Sequence, residues 1–360
     1  MSVTTPWCTL QRAVTAAPSG SVVLVRRGSY GTAELKAGAR TGWVTLRAYT
    51  GETPEVSKLR LWGGYVAVER FRLGGGELTA KVRDVALRDN QITGGIVFQE
   101  GTTRVEVSRN RWSAPTSNAV IFSSAAGTEP KVTAITFRDN VFSRVGVVAL
   151  NLRNFDDVVV QGNEFTNVVS YDGVVHADVI RTYAGGTRLR IVGNYLHDNQ
   201  AQGIFTKDGR VDDMTIANNL VVRSGSQWFG MNLYDVTNLV MVNNTAVDNG
   251  GGDVVLQKSV VRADVRNNIA YKFVVVDPAS VYYPRRNLVG RPDKTGVRFV
   301  DPSTSDYRLR PTSAGVDEAV ADGSPAADLY GKGRADVPEK ANAGIGDPNY
   351  VDIGAIETQP

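Results

Sequence analysis

The residue types best suited to proton transfer lie together in one segment, SYDGVVHADVIRTY at residues 170–183. His176 is one of only 2 histidines in the chain, and Asp178 follows it two residues later. A histidine acts as a general acid or base near neutral pH, and a nearby carboxylate orients its ring. We therefore predict that His176 transfers protons, that Asp172 or Asp178 orients it, and that Tyr171 is a second proton carrier.

Three basic residues, Arg181, Lys207 and Lys258, fall at nearly corresponding places in neighbouring apolar segments. On strands stacked about 4.8 Å apart they would form a basic line along one surface. Such a line suits an acidic polymer. Other polar residues of the same segments are candidate ligand contacts: Arg153, Asp178, Asp208, Tyr234 and Gln257.

These segments belong to a repeat in which a short apolar alternation ends in a polar residue and Asn, as in VALRDNQI and VVVQGNEF. The repeated asparagines are Asn90, Asn110, Asn140, Asn163, Asn194, Asn219, Asn244 and Asn268. Alternation with a period of two indicates strands, and a repeat of roughly 24 residues is typical of a solenoid. We expect each Asn to occupy a left-handed corner and its amide to hydrogen-bond along the column.

The repeat predicts an all-β fold, a parallel β-helix of about ten coils. The segment TLQRAVTAA predicts a short helix that caps the N-terminal end, and scattered prolines after residue 276 predict a loop-rich tail. We expect one domain, 1–360, with the cap and first strands in 1–42, regular coils in 43–275, and C-terminal coils and tail in 276–360.

Composition excludes several classes of protein. The formal net charge of +3 is too small for a dedicated nucleic-acid binder, and the single cysteine, Cys8, excludes an internal disulfide framework. No apolar run approaches the length of a membrane span. We expect a monomer that binds neither nucleic acid nor a membrane.

The opening TLQRAV and SVVLVRRGSYG, the RDN, QGN and VGN corners, and the ending SPAADLYGKGR and DIGAIE resemble one family. They resemble the right-handed parallel β-helix proteins of the pectate-lyase-like superfamily, over nearly the whole chain. The resemblance implies a polysaccharide lyase, a uronan epimerase or a glycoside hydrolase. It also implies export, so we expect a secreted protein although MSVTTPWCTL lacks the features of a signal peptide.

Two local strings extend the resemblance. HADVIR resembles the acid-x-acid-x-Ile-Arg strand of alginate and chondroitin lyases, with His176 in place of the first calcium-ligating acid. A calcium ion is therefore a possible cofactor, with Asp172 and Asp178 as its candidate ligands. YDGVVHAD resembles the Asp-Pro-His stretch of mannuronan epimerases, but without the proline.

The combined expectation is an enzyme that cleaves an acidic polysaccharide by β-elimination. Arg181 and Lys207 would neutralise the carboxylate of a uronate, and His176 or Lys207 would remove the proton from carbon 5. Tyr171 or His176 would then protonate the leaving oxygen.

Other functions stay open. An epimerase would return the proton from the opposite face, and a hydrolase would need carboxylates such as Asp172, Asp178, Asp208 and Asp235. A non-catalytic carbohydrate-binding rod would use aromatic residues: Trp228, Phe229, Tyr234, Tyr282 and Tyr283. The second histidine, His197, follows an ordinary corner, and we expect it to be structural.

Overall fold

The computed structural model describes residues 6–257, 259–277 and 281–360, with only the backbone described for 281–285. Its helices are α1 (Leu10–Ala16), α2 (Pro292–Thr295) and a 3-10 turn at Pro302–Thr304. No helix in these ranges is long and apolar enough to cross a membrane.

The strands of the first half are β1 (Val22–Val25), β2 (Thr32–Lys36), β3 (Val44–Ala48), β4 (Glu55–Val56), β5 (Lys58–Trp62), β6 (Gly64–Glu69), β7 (Arg72–Leu73), β8 (Gly76–Leu78), β9 (Arg83–Arg88), β10 (Gln91–Ile92), β11 (Ile96–Gln99), β12 (Thr103–Ser108), β13 (Arg111–Trp112), β14 (Val120–Ser123), β15 (Val132–Arg138), β16 (Val141–Val145), β17 (Val148–Gln161) and β18 (Glu164–Val168). Those of the second half are β19 (Asp178–Val192), β20 (Tyr195–Asn199), β21 (Gln202–Thr206), β22 (Val211–Ala217), β23 (Leu220–Ser224), β24 (Phe229–Leu233), β25 (Val236–Val242), β26 (Thr245–Val247), β27 (Gly252–Leu256), β28 (Ala263–Arg266), β29 (Ile269–Ala270), β30 (Phe273–Val275), β31 (Val281–Arg285), β32 (Leu288–Val289), β33 (Phe299–Asp301) and β34 (Asp306–Leu309).

Each coil contributes a strand to each of three faces, and equivalent strands of successive coils pair in parallel. This arrangement confirms the predicted parallel β-helix. The first face runs β2, β5, β8, β11, β14, β17, β19, β21, β24, β27 and β30. The second face begins at β1 and ends at β31, and the third is an 11-stranded sheet from β4 to β32. The strands β17 and β19 are long because each passes through the bend between the first two faces.

A column of buried asparagines holds the corner between the second and third faces. Asn163 is typical: its Oδ1 accepts from the main-chain N–H and the Nδ2 of Asn140 at 2.9 Å, and its own Nδ2 donates to Asn194 at 3.0 Å. The same bonds link each asparagine of the repeat to the next, and Asn287 extends the column beyond Asn268. The predicted amide ladder is confirmed.

The expectation of a left-handed backbone at the ladder asparagine itself is wrong. The positive φ belongs to the residue before it, for example Asp89 at 57° before Asn90 and Gly162 at 65° before Asn163. The preceding residue makes the turn, and this leaves the asparagine free to direct its amide into the column. Gly, Asn and Asp recur at that preceding position because they tolerate this conformation.

The ends of the rod are covered differently. The helix α1 begins after the cap Thr9, whose side chain accepts from the N–H of Arg12, as expected for a short capping helix. Gln11 of this helix bonds the main chain of Lys36 on β2, at 2.7 Å from the N–H and 3.2 Å from the carbonyl. The tail packs along the third face, where Val351 and Ile353 share a core with Val247 and Ile269.

A buried acidic pair ties the tail together. Asp352 accepts from the N–H groups of Asp317 at 2.8 Å and Thr358 at 2.7 Å, while Glu357 accepts from Arg334 at 2.6 Å. Burial and the neighbouring Glu357 carboxylate raise the pKa of Asp352 to about 7. The folded tail therefore holds a proton that an unfolded chain would release at lower pH.

Replacing Asn163 with Ala should strongly destabilise the rod. The change leaves the buried donors of Asn140 and the carbonyl of Phe137 without their partner, at a cost of at least about 2 kcal/mol. Chemical denaturation would measure the loss in free energy of unfolding. The control Asn342→Ala removes an exposed amide and should change this free energy by less than about 0.5 kcal/mol. Equal effects of the two substitutions would contradict the role of the ladder.

Stability should fall as the pH rises from about 4 to about 7. The pKa of Asp352 is raised in the folded state, so the folded protein binds more protons than the unfolded chain over this interval. Thermal unfolding midpoints between pH 4 and 8 would show the decline. In Asp352→Asn, which has no proton to lose there, the midpoint should be lower throughout but less dependent on pH. An unchanged slope in this variant would assign the decline to other groups.

Candidate active site

The predicted proton-transfer residues lie on the first face, where the loop 170–177 leads into β19. Asp172 shapes this loop, because its Oδ1 accepts from the N–H groups of Val174 and Val175, both at 2.9 Å, and from the Ser170 hydroxyl at 3.0 Å. These bonds hold the pKa of Asp172 below its usual range. Asp172 is thus engaged with its own loop.

Asp178 is the residue that contacts His176. Its carboxylate is fully buried, with Oδ1 at 2.9 Å from the Nδ1 of His176 and Oδ2 accepting from the Nη1 of Arg181 at 3.1 Å. The Arg181 guanidinium offsets the cost of burying this charge. The His176 side chain keeps 43% of its surface exposed, so its ring can be reached from outside while Nδ1 faces the carboxylate.

An aromatic wall borders the histidine on the side of the following coils. The ring of Trp228 stands nearly perpendicular to that of His176 at 4.6 Å between centroids, and Phe205 lies at 5.8 Å. Tyr234 continues the wall, at 6.1 Å from Phe205. We call His176, Asp178, Arg181, Phe205 and Trp228 the His176 cluster.

Strand pairing fixes which residues flank the cluster. Asn151 is aligned with Arg181 on the preceding coil, Phe205 with Arg181 on the following one, and Asn232 with Phe205 beyond it. Arg153 lies over the ring of Tyr183 at 5.0 Å. The structure therefore brings Arg153 next to the coil that carries Arg181.

Other predicted residues make contacts that do not involve the histidine. Lys207 and Asp208 follow β21 as a half-exposed pair with 3.8 Å between Nζ and Oδ2, and Gln257 donates to the Oδ1 of Asn232 at 3.0 Å. Tyr171 is exposed on the loop, and its main-chain N–H donates to Gly146. Lys258 lies outside the described residues.

His197 is placed on the third face, away from this cluster. Its ring stacks on Tyr195 at 4.0 Å between centroids. Its Nδ1 lies 2.7 Å from Asp198, its Nε2 lies 3.2 Å from Glu164, and only 14% of the side chain is exposed. This packing matches a structural role.

The donors proposed for calcium do not suit that ion. One oxygen of Asp172 already accepts three hydrogen bonds, and Asp178 is held between a histidine and an arginine whose positive charge opposes a cation. Within the described ranges no three His, Cys, Asp or Glu side chains group so as to hold a metal ion. Calcium ligation by Asp172 and Asp178 stays a prediction from the sequence.

Sequence reasoning did not name Phe205, Asn151 or Asn232 as site residues, and it treated Trp228 only as part of a possible sugar-binding surface. Their alignment with Arg181 depends on the lengths of the loops between coils, which differ. Arg181 lies 18 residues after its ladder asparagine and Phe205 only 11 after its own. The alignment could have been recognised from the buried residues on either side. Ile180 and Thr182 pair with Ile204 and Thr206, and this places Arg181 opposite Phe205.

Residues 129–275 match the family described as "Right handed beta helix region". No curated protein sequence matches the chain. A GH136 lacto-N-biosidase from Eubacterium ramulus has a similar structure, with a TM-score of 0.56 and 13% sequence identity over 80% of this chain. The match covers 65% of that enzyme, so this chain spans less than two thirds of its length.

Two further solved structures are more distant. A pectate lyase, Pel9A, is 15% identical over 97% of this chain and 90% of its own, with a TM-score of 0.45. The A-module of a mannuronan C-5 epimerase from Azotobacter vinelandii is 11% identical over 75% of this chain and 90% of its own, with a TM-score of 0.46. In its fold, the chain is a right-handed parallel β-helix protein.

Proposed function

We propose that this chain is a secreted enzyme that cleaves an acidic polysaccharide by β-elimination at a uronate. The observation that carries the proposal is the contact of the exposed His176 ring with the buried Asp178, which Arg181 holds from its other side. A histidine with one nitrogen on a carboxylate and its ring open to solvent is suited to proton transfer.

The reaction uses the groups as follows. Arg181 approaches the carboxylate of the uronate and stabilises the negative charge that develops when carbon 5 loses its proton. His176 accepts that proton through Nε2, since Nδ1 faces Asp178. The electron pair of the broken C–H bond forms a double bond between carbons 4 and 5, and the C–O bond at carbon 4 breaks. Tyr171 or the protonated His176 supplies a proton to the leaving oxygen.

Hydrolysis is less well supported, because the carboxylates suggested for it are engaged. Asp172 is bound to its loop, Asp178 to Arg181, and Asp208 lies 3.8 Å from Lys207. Asp235 accepts from Arg210 at 3.3 Å. A glycosidase needs one carboxyl group to give a proton and another to act on the sugar or on water.

The similar fold of a lacto-N-biosidase supports the coarser proposal of an enzyme that acts on carbohydrate. Incubation with a panel of uronate polymers distinguishes a lyase from a hydrolase and from an epimerase. Rising ultraviolet absorbance of an unsaturated uronate would establish the lyase, whereas new reducing ends without it would indicate hydrolysis. Exchange of the carbon 5 proton with deuterated water, without cleavage, would indicate epimerisation and overturn the proposal.

His176→Ala should lower turnover at least about a hundredfold, because the proton acceptor is lost. The rate of unsaturated uronate formation measures this. The matched control is the only other histidine: His197→Gln changes a packed side chain of the third face and should keep turnover near that of the parent protein. Near-normal turnover of His176→Ala would remove this residue from the mechanism.

Asp178→Asn should lower kcat much more than it raises KM, because Asp178 acts on the substrate only through His176 and Arg181. The neutral amide keeps the size of the side chain but no longer stabilises the positive charge that His176 gains during the reaction. Steady-state kinetics on the best polymer would separate the two constants. A variant with an altered KM alone would show that Asp178 serves only to place Arg181.

A further inference from the structure

The first face carries different kinds of side chain at the two sides of His176 along the axis of the rod. The earlier coils, which are the coil before His176 and the coil of His176 itself, carry Asn151, Arg153 and Arg181. The coils after it carry Phe205, Trp228 and Tyr234, of which Phe205 directly follows Arg181 in the strand register.

The earlier coils hold polar atoms that lack partners within the protein. The Oδ1 of Asn151 and the Nε atoms of Arg153 and Arg181 are buried without a hydrogen bond to any residue that the structure describes. The Oδ1 of Asp178 also lacks a hydrogen bond, although it lies 2.9 Å from the Nδ1 of His176. Unsatisfied polar atoms are uncommon in native proteins and call for an explanation. Two guanidinium groups on adjacent coils match the carboxylate of a uronate.

On the later coils, two of the described cations already lie beside carboxylates. Lys207 is paired with Asp208, and Arg210 with Asp235 at 3.3 Å. These coils present accessible aromatic rings, because Tyr234 is 40% exposed and Trp228 is half-buried beside the histidine. Aromatic rings bind the apolar face of a sugar without requiring a charge on it.

We infer that the rings of Trp228 and Tyr234, the accessible part of the aromatic wall, form a subsite for a neutral sugar. Together with the arginine coils it selects a heteropolysaccharide in which a uronate adjoins a neutral or N-acetylated sugar. His176 then acts at the bond between them. Successive coils are about 4.8 Å apart, so a polysaccharide that lies along the axis contacts the arginine coils and then the aromatic coils. This inference rests on the proposed function for the identity of the cleaved bond.

Binding to His176→Ala tests the subsite without requiring catalysis. The probes are hyaluronan oligosaccharides, in which glucuronate alternates with N-acetylglucosamine, and oligogalacturonates of equal length. Hyaluronan oligosaccharides should bind at least about fivefold more tightly, as measured by calorimetry. Adding Trp228→Ala should remove this preference by weakening only the hyaluronan oligosaccharides, roughly fivefold to tenfold. Trp228→Phe should keep most of it, and Trp43→Ala, on an early coil, should change neither affinity.

Equal or tighter binding of oligogalacturonate, or a preference that survives Trp228→Ala, would overturn the inference. Failure of the proposed function would look different: no polymer would yield unsaturated uronate with the parent protein, while the Trp228-dependent preference persisted. Conversely, cleavage of oligogalacturonate at the higher rate would keep the lyase and remove the neutral-sugar subsite.

Discussion

The asparagine ladder is the interaction on which the rest of the molecule depends. A corner that turns the chain between two buried strands must satisfy its main-chain N–H and carbonyl groups away from water. In Asn163 one side chain does this twice, by accepting from the N–H of Asn140 and donating to the carbonyl of Phe137, and it also donates to the side chain of Asn194 on the coil after. Because the coils from Asn90 to Asn287 repeat the bonds, the position of each of these coils along the axis is fixed relative to the next. The register on the first face, which aligns Arg181 with Asn151 and Phe205, is a consequence.

This fixed register lets the loops vary. The loop 170–177 is inserted between β18 and β19 without disturbing the column, since Asn163 and Asn194 still bond directly although 31 residues separate them. Asp172 gives the insertion internal bonds of its own. The scaffold supplies rigid positions for Asp178 and Arg181, and the loop supplies the His176 ring that meets them.

Much of the fold was predictable, because the ladder is a sequence repeat with a single physical cause. The capping helix followed from the pattern of TLQRAVTAA, and the parallel coils from alternation before each Asn. The conformation of the corner was not predicted correctly, since the repeat shows that Asn is required but not which of two adjacent residues turns. The acidic and basic members of the site were visible as rare titratable residues in one segment. The aromatic wall was not, because Phe205 and Trp228 look like core residues until the strand register places them beside His176.

The two histidines show why a sequence motif alone does not make a site. Each lies within 3 Å of an aspartate, His176 beside Asp178 and His197 beside Asp198. Around His197 the charged groups pair with one another. Arg223 binds Asp198 and, with His197, holds the pKa of that carboxyl at about 2. Tyr195 stacks on the ring of His197. Around His176 the carboxylate is buried instead and the ring is open, so a change in its protonation can be coupled to a molecule that arrives from outside. Exposure of the imidazole above a buried partner, more than the partner itself, distinguishes the candidate active site from a structural ion pair.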